Sequence, residues 1–557
     1  VSDQISTADR RPRGGPAPAP SRAAAALCGV LAAGAALAAA QVAAAFLRPE
    51  AAPVLAVGDA VVDLTPPALK DLAVGLVGTA DKPLLLGGIA VLLAGFAALV
   101  GLAGRWRPWA GSAGVAAFAL VGAAAAATRP DGGPLDVLPA LLGGAVGHAV
   151  LRLLLAAAPH PAPPEGAAPE GGAAPENGAG AERPAADRAD RAPGFDRRRF
   201  VLLAGSAAAL SAAAGGGAYA YTSARARADA AGRAIRLPAP ASPAPSLPDG
   251  ADLDLDGLAS FFTPNEDFYR IDTALSVPRV DATTWTLRVH GRGVREREYT
   301  FADLLDRADL IERDITLACV SNPVGGGYVG TARWIGVPLA ALLAEAGVRP
   351  PTDGGPADQL ISRSADGMTI GTPVADVLDG RDALLAVGMN GRPLPVEHGF
   401  PVRMVVPGLY GYVSACKWLV DLELTTFADV DAYWVPRGWS ARGPVKTQSR
   451  IDVPRDGAEV AAGRVTVAGV AWAQHVGVDG VEVRVDDGPW RPARLAAEDT
   501  ADTWRQWVLD WDAEPGTHRL AVRATDRGGA VQTAATAPVA PDGATGHHRI
   551  AVTVAEG

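Results

Sequence analysis

Three observations predict a multi-domain chain with an N-terminal α-helical transmembrane region, an α+β middle region and a C-terminal β-sandwich. Uncharged runs of bilayer length fill much of the first 220 positions; short strand-like runs such as TWTLRVHG and RMVVPG, with one clear helix at 338–347, follow from about 251; and alternating segments (VTVAGVAW, VEVRVDDGPW, HRLAVRATD) between Gly/Asp turns occupy the stretch from 449 onward. The 557 residues are enough for roughly three to four domains of about 150 residues each. A net charge of -10 supplies no general basic face, and no nucleic-acid module is visible, so nucleic-acid partners are not expected.

The membrane region is read as residues 1–157. The run 24–47 carries no charge and follows Arg10, Arg11, Arg13 and Arg22, which predicts a span with its N-terminus facing the cytoplasm. Further spans are predicted near 83–104, 109–127 and 134–157; Arg105 and Arg107 in one loop fit an in-out-in-out-in path. The stretch 54–78, with Pro66, Pro67 and charges, reads as a loop with an interfacial helix. Residues 158–196 hold too few large apolar side chains to offset the entropy of ordering, and read as a disordered linker. At 197–221, Arg197 and Arg198 precede an apolar helix. This is either a twin-arginine-like export signal inside the chain or a fifth span with a positive flank, and both readings place the residues after 222 outside the cytoplasm. Residues 222–250 read as a Pro/Ala linker, 251–448 as the catalytic candidate and 449–557 as the sandwich.

Three cysteines, Cys28, Cys319 and Cys416, exclude a disulfide framework and a paired zinc site, while leaving a single Cys319–Cys416 bridge open. Cys319 ends an apolar run, ITLACVSNPVGGGYVG, and precedes a loop with glycines at 325–327 and 330. By itself it is open to three readings: nucleophile, metal ligand or small core residue. A second cluster, NGRPLPVEHGFPVRMVVPGLYGYVSACKW, places His398, Arg403 and Lys417 among Gly and Pro residues, a composition suited to a phosphate-holding loop. A third, FFTPNEDFYR at 261–270, is polar and aromatic.

Together these clusters resemble the sulfite oxidase family of molybdenum enzymes, over about 260–540. The segments that carry the resemblance are TPNEDFY, ITLACVSN, MNGRPLPVEHGFPVRMVVPG and the KW at 417–418. The resemblance implies a molybdopterin (the molybdenum cofactor, with one dithiolene) in an α+β sulfite-oxidase-like domain, followed by an immunoglobulin-like dimerisation domain. It implies that Cys319 ligates the metal, a role its soft thiolate suits. It also implies that Asn265, Phe268 and Tyr269 contact the pterin, and that His398 and Arg403 hold its phosphate. Lys417 with the backbone of Ala415 and Cys416 would bond the pterin ring, and Ser364 its edge.

The chain departs from the family around the substrate anion. Pro264 replaces an arginine, the loop after Cys319 lacks the paired arginines, and the active-site tyrosine falls in YWVPRGWSARGPVKTQSR, where Trp439 or a neighbour replaces it. Arg437, Arg442, Lys446 and Arg450 are expected to compensate in part, with Arg437 and Trp439 as the catalytic candidates of that segment. Fewer charged bonds to sulfite point toward oxygen-atom removal from a neutral sulfoxide or similar oxide, as in periplasmic methionine sulfoxide reductases. Tyr328, Trp334, Tyr410, Tyr412 and Trp439 are available to an aromatic pocket for such a substrate. The chain lacks a CxxCH haem motif, so an external one-electron partner, a cytochrome or quinone-linked protein, is expected beside a small-molecule substrate and a possible homodimer. The expected location is the plasma membrane, with the catalytic and sandwich domains on its extracytoplasmic side. Two rival readings are a thiol hydrolase using Cys319 and His398, and a non-catalytic membrane-anchored binding module.

Overall fold

The computed structural model of the chain describes residues 20–65, 81–129, 133–158, 197–232, 235–274 and 277–556. These fall into two compact units divided after Asp229. The first is helical: α1 (Arg22–Leu47), α2 (Pro53–Leu64), α3 (Asp81–Trp106), α4 (Pro108–Ala127), α5 (Leu138–Ala157) and α6 (Arg197–Gly232). Ser21 caps α1 by accepting a bond from the Ala24 N–H at 3.3 Å. Five of the described helices, α2 excluded, are long and apolar enough to cross a membrane. Small residues let two of them touch along their backbones, since a Cβ on Gly29 would lie 1.9 Å from the Ala97 carbonyl oxygen. The predicted loop and interfacial helix begin as α2, and residues 66–78 of that stretch lie outside the described residues. So do residues 159–196, the predicted disordered linker.

The linker reading of 222–250 is corrected at both ends. Helix α6 continues to Gly232, past the predicted end at 221. Residues 235–250 form an extended strap on the second unit. The Ala241 N–H donates to the Leu310 carbonyl at 2.8 Å and the Glu312 N–H donates to the Ser242 carbonyl at 2.9 Å. Arg333 Nη2 donates to the Pro245 carbonyl at 2.8 Å. Proline supplies no N–H, but Ala and Ser between the prolines do, and the extended backbone that proline favours suits a sheet edge.

The second unit begins with two sheets. One has the order β2 (Arg297–Thr300), β1 (Thr286–Gly291), β10 (Leu419–Thr425), β5 (Gln359–Ser364), β6 (Thr369–Pro373), with β1 and β10 parallel. The other runs β3 (Ile311–Ala318), β4 (Val329–Pro338), β7 (Leu384–Met389), β8 (Arg392–Pro393), and β9 (Arg403–Val405) also pairs with β7. Their apolar faces share one core, in which Leu287, Leu360 and Leu422 meet Val337, Leu385 and Met404.

The rest of this unit is two further sheets. The first contains β11 (Gln448–Val453), β13 (Gly463–Trp472), β17 (Arg505–Ala513) and β16 (Arg494–Leu495). The second contains β12 (Ala458–Ala461), β19 (His548–Ala555), β18 (Gly516–Asp526), β14 (Val478–Val485) and β15 (Arg491–Pro492). Strand alternation buries Val467, Trp507 and Trp511 of the first against Val481, Val483, Val522 and Val552 of the second, giving the expected β-rich C-terminal region. A further core joins this region to the α+β domain: Phe261, Ala318, Val320 and Val329 pack with Val470, Trp472 and Trp504.

Candidate active site

Strand β3 delivers Cys319 because its inward residues Ile315 and Leu317 are buried and the chain turns immediately beyond them. The Cys319 N–H donates to the Tyr328 carbonyl at 2.9 Å and the Asn322 N–H donates to the Cys319 carbonyl at 3.1 Å. Asn322 Oδ1 closes the loop by accepting from the Tyr328 N–H at 2.8 Å. Burial pushes the Cys319 thiol up, opposed by the Ser321 hydroxyl 2.9 Å from its Sγ. All three cysteines are free thiols, so the bridge left open by the sequence does not form.

Three basic side chains converge where Gly399 permits it. Gly399 has φ +111°, and a Cβ there would lie 2.9 Å from the Lys417 Cβ and 3.1 Å from the Arg403 Cβ. Arg403, 5% exposed, lies 5.0 Å from the Trp334 ring centroid, and its Nη1 donates to the His398 carbonyl at 3.2 Å. Its Nε has no hydrogen-bond partner, and burial pushes the guanidinium down to about 10. Burial also pushes Lys417 down to about 8, although it pairs with Asp272. Asp272 is itself buried, but Lys417 and Arg270 hold its carboxyl below the ordinary range. His398 Nε2 lies 2.7 Å from the Asn265 carbonyl, which can only accept, so this nitrogen carries the proton. Burial and the neighbouring cations keep the His398 ring neutral by lowering its pKa.

These groups share one cleft with about 760 Å³ of empty space, part of it open to solvent. Of the site residues expected from sequence, Cys319, Phe268, Tyr269, Ser364, His398, Arg403, Ala415 and Lys417 line it. Phe268 stacks on Tyr269 at 5.3 Å between ring centroids and meets His398 edge-on at 5.6 Å.

Four expected residues do not line the cleft. The Asn265 side chain turns away, with Oδ1 accepting from Asn390 at 2.9 Å, and its carbonyl is what meets His398. The Cys416 side chain is fully buried in the main core, because it alternates with Ala415 and Lys417. Trp439 packs behind Tyr412 and Trp434, at 6.0 and 6.2 Å. Arg437 covers the Tyr433 ring at 3.6 Å.

The compensating cations also fail to reach the cleft. Arg442 lies over Phe427 at 5.1 Å, Lys446 pairs with Asp542 at 2.9 Å and Arg450 with Asp452 at 2.6 Å. Among the residues proposed for an aromatic pocket, Tyr412 lines the cleft, whereas Trp334 is buried beneath Arg403. Sequence reasoning missed Asp272, Met368 and Trp434, all of which line it. For Trp434 a signal existed in its tyrosine-tryptophan pair within the segment already singled out.

The donor set fits a molybdopterin. Arg403 presents a buried guanidinium with an unused N–H, as an anionic phosphate requires, and Cys319 presents one soft sulfur. Among the described residues no three His, Cys, Asp or Glu gather as a metal site, so a metal here brings its remaining ligands with it.

Comparison with known proteins defines the class. A family model described as the oxidoreductase molybdopterin binding domain matches residues 274–434. The chain is 32% identical over 324 residues to sulfite oxidase of Gallus gallus, covering 50% of this chain and 70% of that protein. It is 31% identical over 323 residues to mitochondrial sulfite oxidase of Homo sapiens, covering 50% of this chain and 59% of that protein. A similar solved structure is the sulfane dehydrogenase SoxCD from Paracoccus pantotrophus, with TM-score 0.44 and 24% identity over 52% of this chain and 79% of that one. The protein is therefore a molybdopterin-dependent oxidoreductase. The chain belongs to the sulfite oxidase family.

Proposed function

We propose that this enzyme removes an oxygen atom from a small, uncharged, sulfur-containing or similar oxide. One observation supports the reading: Arg403 and Lys417, at the cofactor end, are the only Arg or Lys among the described lining residues, which include the aromatic and apolar Tyr412, Trp434, Ile271, Met368 and Ile370 and the carboxylates Asp272 and Asp366. A dianion would find no arginine at Pro264 or in the loop after Cys319, where the resemblance expects them; each missing charge-assisted bond costs about 1.5–3 kcal/mol. A neutral sulfoxide would meet aromatic and thioether surface.

In this reading Cys319 is the metal ligand and His398, Arg403 and Lys417 hold the phosphate and pterin. Phe268, Tyr269, Ser364 and Ala415 shape the cofactor slot. Asn265 and Cys416 act indirectly, through the carbonyl that orients His398 and through strand alternation. Trp434 takes the substrate-facing position expected of Trp439, and Arg437 braces it through Tyr433. The molybdenum centre, when bound, supplies two-electron oxygen-atom transfer. Tyr269, whose hydroxyl is kept protonated by burial, is a donor in the cleft wall. In the overall reaction the S–O bond breaks and the oxygen leaves with two protons as water. Two electrons arrive singly from an external cytochrome or quinone-linked protein. The apolar helices anchor the enzyme in the plasma membrane, and the N-terminal arginines favour an extracytoplasmic active site. The β-rich region is read as immunoglobulin-like, with a role in homodimer formation.

Sulfite oxidation proper is the second reading, favoured by the identity to the chicken enzyme. Electron paramagnetic resonance of the purified, reduced protein separates the two. A Mo(V) signal that responds to a sulfoxide and ignores sulfite is expected; rapid appearance of the signal on adding sulfite to the oxidised enzyme overturns the first reading.

A further inference from the structure

The loop after Cys319 is held from the other side of the unit. Arg450, on β11, donates from Nη1 to the Gly326 carbonyl at 2.9 Å, while Asp452 fixes the rest of its guanidinium. His548, on β19, packs so closely on the loop that a Cβ at Gly325 would lie 2.0 Å from its Cδ2. The same ring accepts at Nδ1 from the Ile451 N–H at 3.0 Å, which sets its orientation. Gly325 has φ +76°, so the loop takes this path only with glycine there.

Three residues before the cysteine, Thr316 is bonded to this same C-terminal region on each of its polar groups. Its N–H donates to the Asp502 carbonyl at 2.9 Å, its Oγ1 accepts from the Trp504 N–H at 2.7 Å, and its carbonyl accepts from Gln474 Nε2 at 3.2 Å. Ala318 and Val320, the immediate neighbours of Cys319, are buried in the core that includes Val470, Trp472 and Trp504. Both sides of the cysteine are thus attached to strands and loops that contribute nothing to the cleft lining.

We propose that Arg450 and His548 are positioning residues, through which the C-terminal β-rich region fixes the angle at which the Cys319 sulfur is presented to the cofactor. The proposal rests on the reading of Cys319 as the metal ligand. A thiolate on a loop anchored at one end would swing, and displacement of a ligating or reacting atom by about 1 Å can cost roughly 100-fold in rate. The structure anchors the loop at both ends and uses the second domain to do it.

The test uses the full chain, wild type, Arg450→Gln and Gly325→Ala, the last forcing His548 out of contact. In the cofactor-free protein, amide exchange across 319–328 is expected to rise by at least about tenfold in either variant, with the β7 and β13 amides unchanged. In the loaded protein, molybdenum content should stay at the wild-type level while the g-values of the Mo(V) signal shift and kcat falls with KM unchanged. Arg450→Lys, which keeps a donor, should restore part of the signal. Wild-type exchange and wild-type g-values in Arg450→Gln overturn the proposal; if Gly325→Ala does not fold, Arg450→Gln alone decides. Cys319→Ser serves as the control: an unaltered Mo(V) signal in that variant means that the ligand assignment has failed, rather than the clamp.

Discussion

The two ends of the cleft are built on opposite principles. At the inner end, His398, Arg403 and Lys417 are basic groups taken out of water, and burial lowers the pKa of each. At the mouth, Tyr412 and Trp434 present aromatic surface, backed by Trp439. A buried cation such as Arg403, whose Nε has no partner, is a poor element for stability alone, because its desolvation is repaid when an anion arrives. The inner end suits an anionic cofactor, and in the proposed reading the aromatic end receives the uncharged substrate.

The largest expected effect breaks the inner end at the metal. Cys319→Ser should lower activity by more than the roughly 100-fold that losing an outer partner of a metal ligand costs, measured as kcat/KM per molybdenum. Next, Arg403→Met should reduce retained molybdopterin by about 10–100-fold on gel filtration. The same change should raise, or leave unchanged, the melting temperature of the cofactor-free protein, since it removes a buried charge whose Nε has no partner. A lower melting temperature would show that Arg403 is structural.

A smaller, graded effect comes from Lys417, which burial holds near 8. The protonated amine is the form an anion needs, and this folded-state value lies below that of a free lysine. Uptake of cofactor by the empty protein should therefore fall about tenfold between pH 7 and 9, well before an ordinary lysine titrates near 10.4. Once the anion is bound it favours the charged amine, so release from loaded enzyme should be flat over the same range. The mouth is tested by Trp434→Ala, which should raise KM for a sulfoxide by about tenfold with little change in kcat. Trp439→Ala, one layer back, should do less; a larger effect at Trp439 would reverse their assignment.

The residues of the inner end are picked out by local sequence pattern, while their roles come from the resemblance. A cysteine at the end of an apolar strand, a glycine loop and HGFPVR before a short strand specify where the chain turns and which residues emerge there. Alternation along 415–417 also carries the information that Cys416 faces away from Ala415 and Lys417, although the resemblance assigns Cys416 a part only through its backbone. The mouth is less legible because it depends on one turn. A 3-10 turn at Val435–Arg437 and left-handed Gly438 reverse the chain, so that the Trp439 N–H donates to the Trp434 carbonyl at 3.2 Å. Both indoles then enter one cluster, and packing rather than spacing decides which faces the cleft. Asp272 is hidden in the sequence because its partner Lys417 is distant along the chain. The strap at 235–250 has a disorder-like composition, and the open edge of β3, with Leu237 and Leu247 packed on the buried cores, gives it a place to bind.

In the proposed reading the Cys319 sulfur bonds molybdenum beside the buried cations. X-ray absorption at the molybdenum edge of the fully loaded protein tests it most directly, comparing wild type with Cys319→Ser. One fewer sulfur neighbour is expected in the variant, with the dithiolene sulfurs unchanged. An identical sulfur count in the two proteins would contradict it.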